Sequence, residues 1–167
     1  MKKLLLFITV AFIATKATAQ VKTAFNANLI YTLPAGWYMK DSSLKKITLR
    51  KTGDAYIRIE ITVNQYPDKD LAKFMAVDKK KFSPDPYVRT ILPDAKLGNR
   101  MYKKVKYFTN NKVLKVDTEL NYATLAQLKN PLPGVTNALV QVIIICSKTQ
   151  EIEMSKIADA LATSLVY

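Results

Sequence analysis

The chain contains no histidine and only one cysteine, Cys146. Without histidine there can be no Ser-His-Asp or Cys-His relay and no imidazole ligand for a metal. A single thiol cannot close a disulfide within the chain, so stability has to come from a packed core. Cys146 stands in the most apolar stretch of the sequence with no basic helper, which predicts a raised pKa and an inert core residue. The four glycines, Gly36, Gly53, Gly98 and Gly134, are far apart and each fits a turn, which leaves no glycine-rich phosphate loop. Acidic residues are scarce as well, 13 against 26 basic ones. No two of them can be nominated as the paired carboxylates of a glycoside hydrolase. Asp68 and Asp70 lack the glycine and the closing glutamate of a calcium loop. Glu151 and Glu153 are explained by the positive end of a helix dipole. These gaps predict no enzyme, no cofactor and no metal site.

The N-terminus is informative by what it contains. Met1-Lys2-Lys3 is a positive start, Leu4 to Ile13 is apolar except for Thr9, and Ala17-Thr18-Ala19 offers small residues before Gln20. That pattern is a secretory signal peptide over residues 1–19, cleaved after Ala19. Its apolar run is about half the roughly 20 residues a membrane-spanning helix needs. The expectation is a periplasmic or secreted protein with no transmembrane segment after cleavage. The product would be a single α+β domain over 20–167, with 148 residues and a net charge of +10 after loss of Lys2, Lys3 and Lys16. Such a charge calls for an anionic neighbour. Export makes an envelope component or an acidic protein the expected partner and nucleic acid an unexpected one.

Periodicity supplies the elements. Val21 to Leu33 reads as extended, stopped by Pro34-Ala35-Gly36. Lys46 to Lys51 and Ala55 to Val63 form a hairpin around Thr52-Gly53-Asp54; Ile57, Ile59, Ile61 and Val63 face one way and Tyr56, Arg58, Glu60 and Thr62 the other. A helix follows from Pro67-Asp68, capped by Asp68, through Leu71, Phe74, Met75, Lys79-Lys80-Lys81 and Phe82 to Ser83-Pro84. Strands are expected over Arg100 to Thr109 and Val113 to Thr124, joined by Asn110-Asn111. After a loop at Asn130 to Gly134, Thr136 to Ser147 is apolar on both faces, as in a central strand covered on both sides. A last helix, Gln150 to Leu165 with Thr149 as its cap, carries the stripe Met154, Ile157, Ala158, Leu161, Ala162, Leu165. The fold class is α+β: a mainly antiparallel six-stranded sheet with helices packed on it.

Tyr31-Thr32-Leu33-Pro34-Ala35-Gly36-Trp37 resembles the opening strand of the PsbP-like superfamily, which ends in Pro-x-Gly-Trp. The long helix after the first hairpin, the basic middle and the strand-then-helix ending match that superfamily in order. The resemblance implies an α/β/α sandwich and a binding or assembly role without a shared active site.

The feature most suggestive of a site is the basic middle. Lys96, Arg100, Lys103, Lys104, Lys106, Lys112 and Lys115 lie together with no acidic residue among them. Tyr102, Tyr107 and Phe108 interleave with them, as in an anion-binding face. The alternative is a solvated face that blunts a sheet edge. Lys103, Lys104, Lys106, Tyr107 and Lys112 are the candidate binding residues, with Trp37 as a ligand platform or a core seal. The functional expectation is a non-catalytic extracytoplasmic binding or assembly protein. A small-ligand carrier, with a pocket between helix and sheet lined by Trp37, Phe74 and tyrosines, is the rival.

Overall fold

In the computed structural model, residues 20–24, 29–43, 45–77, 87–109, 115–132 and 135–166 are described. The expected signal peptide, Asn110-Asn111 and Lys79-Lys80-Lys81 lie outside them. Two strands, β1 (Gln20–Ala24) and β2 (Leu29–Leu33), pair as a separate ribbon. Seven more form one sheet: β3 (Trp37–Ser42), β4 (Lys46–Lys51), β5 (Asp54–Tyr66), β6 (Tyr87–Leu97), β7 (Arg100–Thr109), β8 (Thr118–Leu132) and β9 (Val135–Cys146), in the order β3-β4-β5-β9-β8-β7-β6. Every pairing among them is antiparallel. Two helices are described, α1 (Ala72–Ala76) and α2 (Glu151–Ser164).

The sheet has seven strands where six were expected: the stretch expected as its first strand, Val21 to Leu33, contributes the separate β1–β2 ribbon instead, and two edge strands with weak sequence signals, β3 and β6, join the sheet. β3 exposes every residue after Trp37, so it has no alternation to read. β6 contains Pro93, which cannot donate to a ladder and belongs at an edge or a bulge. The register of β6 on β7 shifts between Leu92 and Ala95, and Pro93 sits in that irregularity. Pro131 is absorbed in the same way. β8 runs through Asn130 to Leu132, which were expected as loop, with a register shift between Gln127 and Leu132. Of the strand expected from Val113, Val113 and Leu114 lie outside the described residues, residues 115–117 are not extended into the ladder, and β8 begins at Thr118.

β9 is central, as its apolar composition requires. Ile144 is opposite Ile59 on one side and Leu120 on the other, and Val142 is opposite Ile61 and Tyr122. These side chains share one sheet face and are buried there with Ile47, Leu49 and Ile57. Against that face lies α2, whose Met154, Ala158, Leu161 and Ala162 are buried at helical spacing. Leu29, Tyr31 and Leu33 of the ribbon complete the same core. The ribbon is fastened to the chain end by two backbone bonds between Ile30 and Val166, 2.8 and 2.9 Å long. The tight β6–β7 turn needs Gly98, which has φ +59 and would bring a Cβ to 3.2 Å from the Thr163 carbonyl oxygen.

The second face is covered unevenly. Val105, Tyr107, Asn121 and Ala123 are buried on its β7–β8 side. Ile143 and Ile145 of β9 are only half-buried, so the central strand is not sealed on both faces along its whole length.

Both helix starts differ from expectation. The N-cap of α1 is Leu71, and Asp70, not Asp68, accepts from the Ala72 amide at 2.8 Å. The Asp68 carboxylate instead takes the Lys73 ammonium at 2.6 Å, which holds the Lys73 pKa above its ordinary value. Helix α1 ends at Val77, whose backbone is extended. A short 3-10 turn, Lys148–Gln150, precedes α2, and Thr149 bonds the Ser147 hydroxyl instead of capping the helix. Glu151 and Glu153 do occupy the first turn.

Candidate functional site

Strand alternation separates the candidate lysines. Lys104 and Lys106 stand opposite Tyr122 and Leu120 on the face that α2 covers, and Lys103 points to the other face. On the helix side the Lys106 ammonium donates to Glu151 at 2.9 Å. The Lys104 ammonium lies 3.7 Å from an Asp159 carboxylate oxygen and 4.5 Å from the centre of the Tyr122 ring. The Lys104 side chain is only 15% exposed. On the far side Lys103 pairs with Asp94 at 2.6 Å. Each of the three therefore has a carboxylate partner that is distant in sequence or lies on the neighbouring strand. A third ion pair to the helix runs from Lys51 of β4 to Glu153 at 2.8 Å. Lys104 and Lys106 thus belong to the seam between α2 and the sheet.

Tyr122 sits at the centre of this seam. Its hydroxyl shares a 2.9 Å hydrogen bond with Ser155, and burial pushes its pKa up to about 12. Cys146 is buried on the same face and is likewise pushed up to about 12, chiefly by burial. Both groups are neutral at physiological pH.

The other candidates are placed as follows. Trp37 is buried in the core cluster. Tyr107 is buried on the second face with its ring edge-on to Tyr87, centroids 6.4 Å apart. Lys112 lies outside the described residues. Lys115 stacks over the Tyr56 ring at 4.5 Å, and Arg100 donates to the Leu165 carbonyl at 3.4 Å. Among the described residues no cluster of three potential metal ligands occurs, and no helix is long and apolar enough to cross a membrane.

The ion pairs carry different weights. Lys106 and Glu151 are both mostly buried, whereas Lys103 and Asp94 are more exposed. Replacing Lys106 with Gln should cost about 1–2 kcal/mol, because it leaves a desolvated carboxylate without its cation. The Lys103→Gln change should stay within about 0.5 kcal/mol, as exposed pairs do. Urea denaturation of the two variants measures the difference.

A second group of cations was not singled out from the sequence. The pairings Tyr38–Arg50, Arg50–Arg58 and Arg58–Ile145 place these four residues in one row across β3, β4, β5 and β9, on the second face. Tyr56 shares that face two residues before Arg58. Tyr38 and Tyr56 are each 49% exposed. Outward positions of β5 were legible from its alternation. Their placement beside Arg50 and Tyr38 was not, because it needs the register.

No family model and no curated protein matches the chain. Solved structures do. The solution structure of cyanobacterial PsbP (CyanoP) from Synechocystis sp. PCC 6803 aligns with a TM-score of 0.59 at 13% identity, covering 96% of this chain and 99% of that one. The Saccharomyces cerevisiae Ran-binding protein Mog1p aligns with a TM-score of 0.51 at 10% identity, covering 89% and 87%. At these identities the likeness shows the fold: the chain has the PsbP-like fold.

Proposed function

We propose that this chain is a non-catalytic, extracytoplasmic binding or assembly protein that engages an anionic partner. The observation that carries the reading is how the scarce carboxylates are used. Glu60, Asp68, Asp94, Glu151, Glu153 and Asp159 each lie within salt-bridge distance of a lysine or arginine of the chain itself. Exposed Lys40, Lys45, Lys69, Lys96 and Lys156 have no carboxylate partner among the described residues. The acids hold the fold, and the excess positive charge is left on the surface, where it attracts anionic groups over about a Debye length. One structural neighbour is named a Ran-binding protein, which agrees with a binding role for this fold without transferring its partner. Export is part of the proposal and rests on residues 1–19: N-terminal sequencing of the cell-envelope or secreted protein should begin Gln-Val-Lys at Gln20. An N-terminus still at Met1 would remove the extracytoplasmic part.

The binding reading is tested by crosslinking in intact cells at low and high ionic strength. Capture of an acidic partner that falls several-fold as salt rises supports it. Capture indifferent to salt would sink it.

One observation favours the carrier reading. A recess of about 320 Å3 is lined by Leu71, Arg100, Met101, Lys103, Thr124 and Leu125, a volume at the lower end of small-molecule sites. It is not the pocket expected at Trp37. Native mass spectrometry of the purified protein would show a retained ligand, and a clean apo mass would count against the carrier.

A further inference from the structure

We propose that the half of the second sheet face built on β3, β4 and β5 is a docking surface for an acidic segment of a protein partner, centred on Arg50 and Arg58. The proposal rests on the anionic-partner reading and gives it a seat and a partner class.

Arg50 and Arg58 are directly opposite on adjacent antiparallel strands, and like charges in that position destabilise a sheet. Folding alone would favour an acid at one of the two positions. The internal bonds only partly satisfy them. One nitrogen of Arg50 donates to the carbonyls of Ala55 and Tyr56, at 2.7 and 3.4 Å, and Nε of Arg58 donates to Glu60 at 2.9 Å. A guanidinium has five N–H donors in a planar fork that matches a carboxylate bidentately. The fork of each residue therefore keeps donors beyond those in use. Neighbouring strands are about 4.8 Å apart, so two carboxylates at that spacing would meet both forks.

Tyr38 flanks Arg50 in register, Tyr56 shares the face, and both are 49% exposed. Ile143 and Ile145 of β9 lie beside the row and are half-buried. An apolar centre bordered by tyrosine and arginine is the make-up of protein–protein hot spots. Lys46 and Lys115 add positive charge at the margin. Carboxylates on this face include Asp41, Glu60 and Glu119; Glu60 is held by Arg58 and Lys46, and Glu119 is engaged in an interaction of its own. Arginine and tyrosine around isoleucine favour a protein over a sugar chain or a lipid surface, since half-buried isoleucines offer a sugar no hydrogen bond.

The test is an NMR titration of the 15N-labelled protein as exported, with a ten-residue glutamate peptide as probe. A galacturonate oligomer of equal charge and phosphatidylglycerol vesicles serve as parallel probes. The peptide should shift the amides of Tyr38, Arg50, Tyr56 and Arg58 saturably, and bind about tenfold more weakly to R50Q/R58Q. Tyr38 is exposed and among the described residues its side chain has no hydrogen-bond partner that Ala would lose, so Tyr38→Ala provides a variant expected to fold normally; it should weaken binding about fivefold. If the peptide binds but both variants bind it equally well, or the shifts fall on β7, the anionic-partner reading stands and this face is not its seat. If the galacturonate oligomer or the vesicles give the same saturable shifts, the partner class is overturned. If none of the three probes binds, this proposal and the reading beneath it fall together.

Discussion

Ile144→Ala should destabilise the protein by about 3–4 kcal/mol, among the largest single-residue losses available in this fold. Ile144 is fully buried, lies between Ile59 and Leu120 on the central strand, and faces the layer formed by α2. Truncation removes transfer free energy and leaves a cavity that a close-packed sheet-helix interface cannot collapse around. Against a typical total of about 5–15 kcal/mol, such a loss should shift the urea midpoint far to the left. The neighbouring Ile145 is the internal control. It points to the half-open second face, so Ile145→Ala should cost only about 1 kcal/mol. Equal losses at 144 and 145 would mean that the strand's faces are misassigned, since a slip of one residue exchanges every side chain between faces.

The second large effect is alkaline. Burial raises the pKa of Cys146 from 9.0 to about 12 and that of Tyr122 from 10.0 to about 12, and it also raises that of Tyr31. In each case the unfolded chain gives up its proton at a lower pH than the folded one. Between the two pKa values the folded state binds more protons, so stability falls as pH rises. The contribution is complete below about pH 9 for Cys146 and about pH 10 for Tyr122, and is lost by about pH 12. At about 1.4 kcal/mol per pKa unit, the loss from Cys146 is on the order of 2–4 kcal/mol. Urea midpoints measured from pH 8 to 11 should fall with rising steepness above pH 9. In Cys146→Ala the onset should move to about pH 10, where the tyrosines begin. A flat profile to pH 11 would show that these groups ionise without unfolding the core.

The contrast between α2 and the basic middle shows which features could be read from the chain. Helix α2 was legible within one or two residues, because Met154, Ala158, Leu161 and Ala162 repeat at helical spacing and are buried in that order. β5 was equally legible, since Ile57, Ile59 and Ile61 alternate and share one face. The lysines of β7 were legible only as a cluster. Their partners Glu151 and Asp159 lie 45 and 55 positions away, and nothing in the neighbourhood of Lys104 or Lys106 announces a helix that returns to them. A run of basic residues in sequence therefore became part of a neutralised seam in space. Trp37 was more legible: a Trp directly after Gly36 reads as a core seal as well as a ligand platform, and its ring lies in the core. The edge strands β3 and β6 stayed hidden because an edge needs only one neighbour and tolerates exposed residues, a proline and a bulge.

By itself the sequence determined the absence of histidine chemistry and of an internal disulfide, the positive charge, the α+β class and the inward faces of β5 and α2. These follow from composition and from the two short periods of 2.0 and 3.6, which are properties of neighbouring residues. The tertiary structure alone decided that the sheet has seven strands, that Lys103, Lys104 and Lys106 are paired with carboxylates, and that Arg50 meets Arg58 between Tyr38 and Ile145. Those outcomes depend on strand order and register, where residues tens of positions apart come within a few ångströms, and no local pattern encodes that distance.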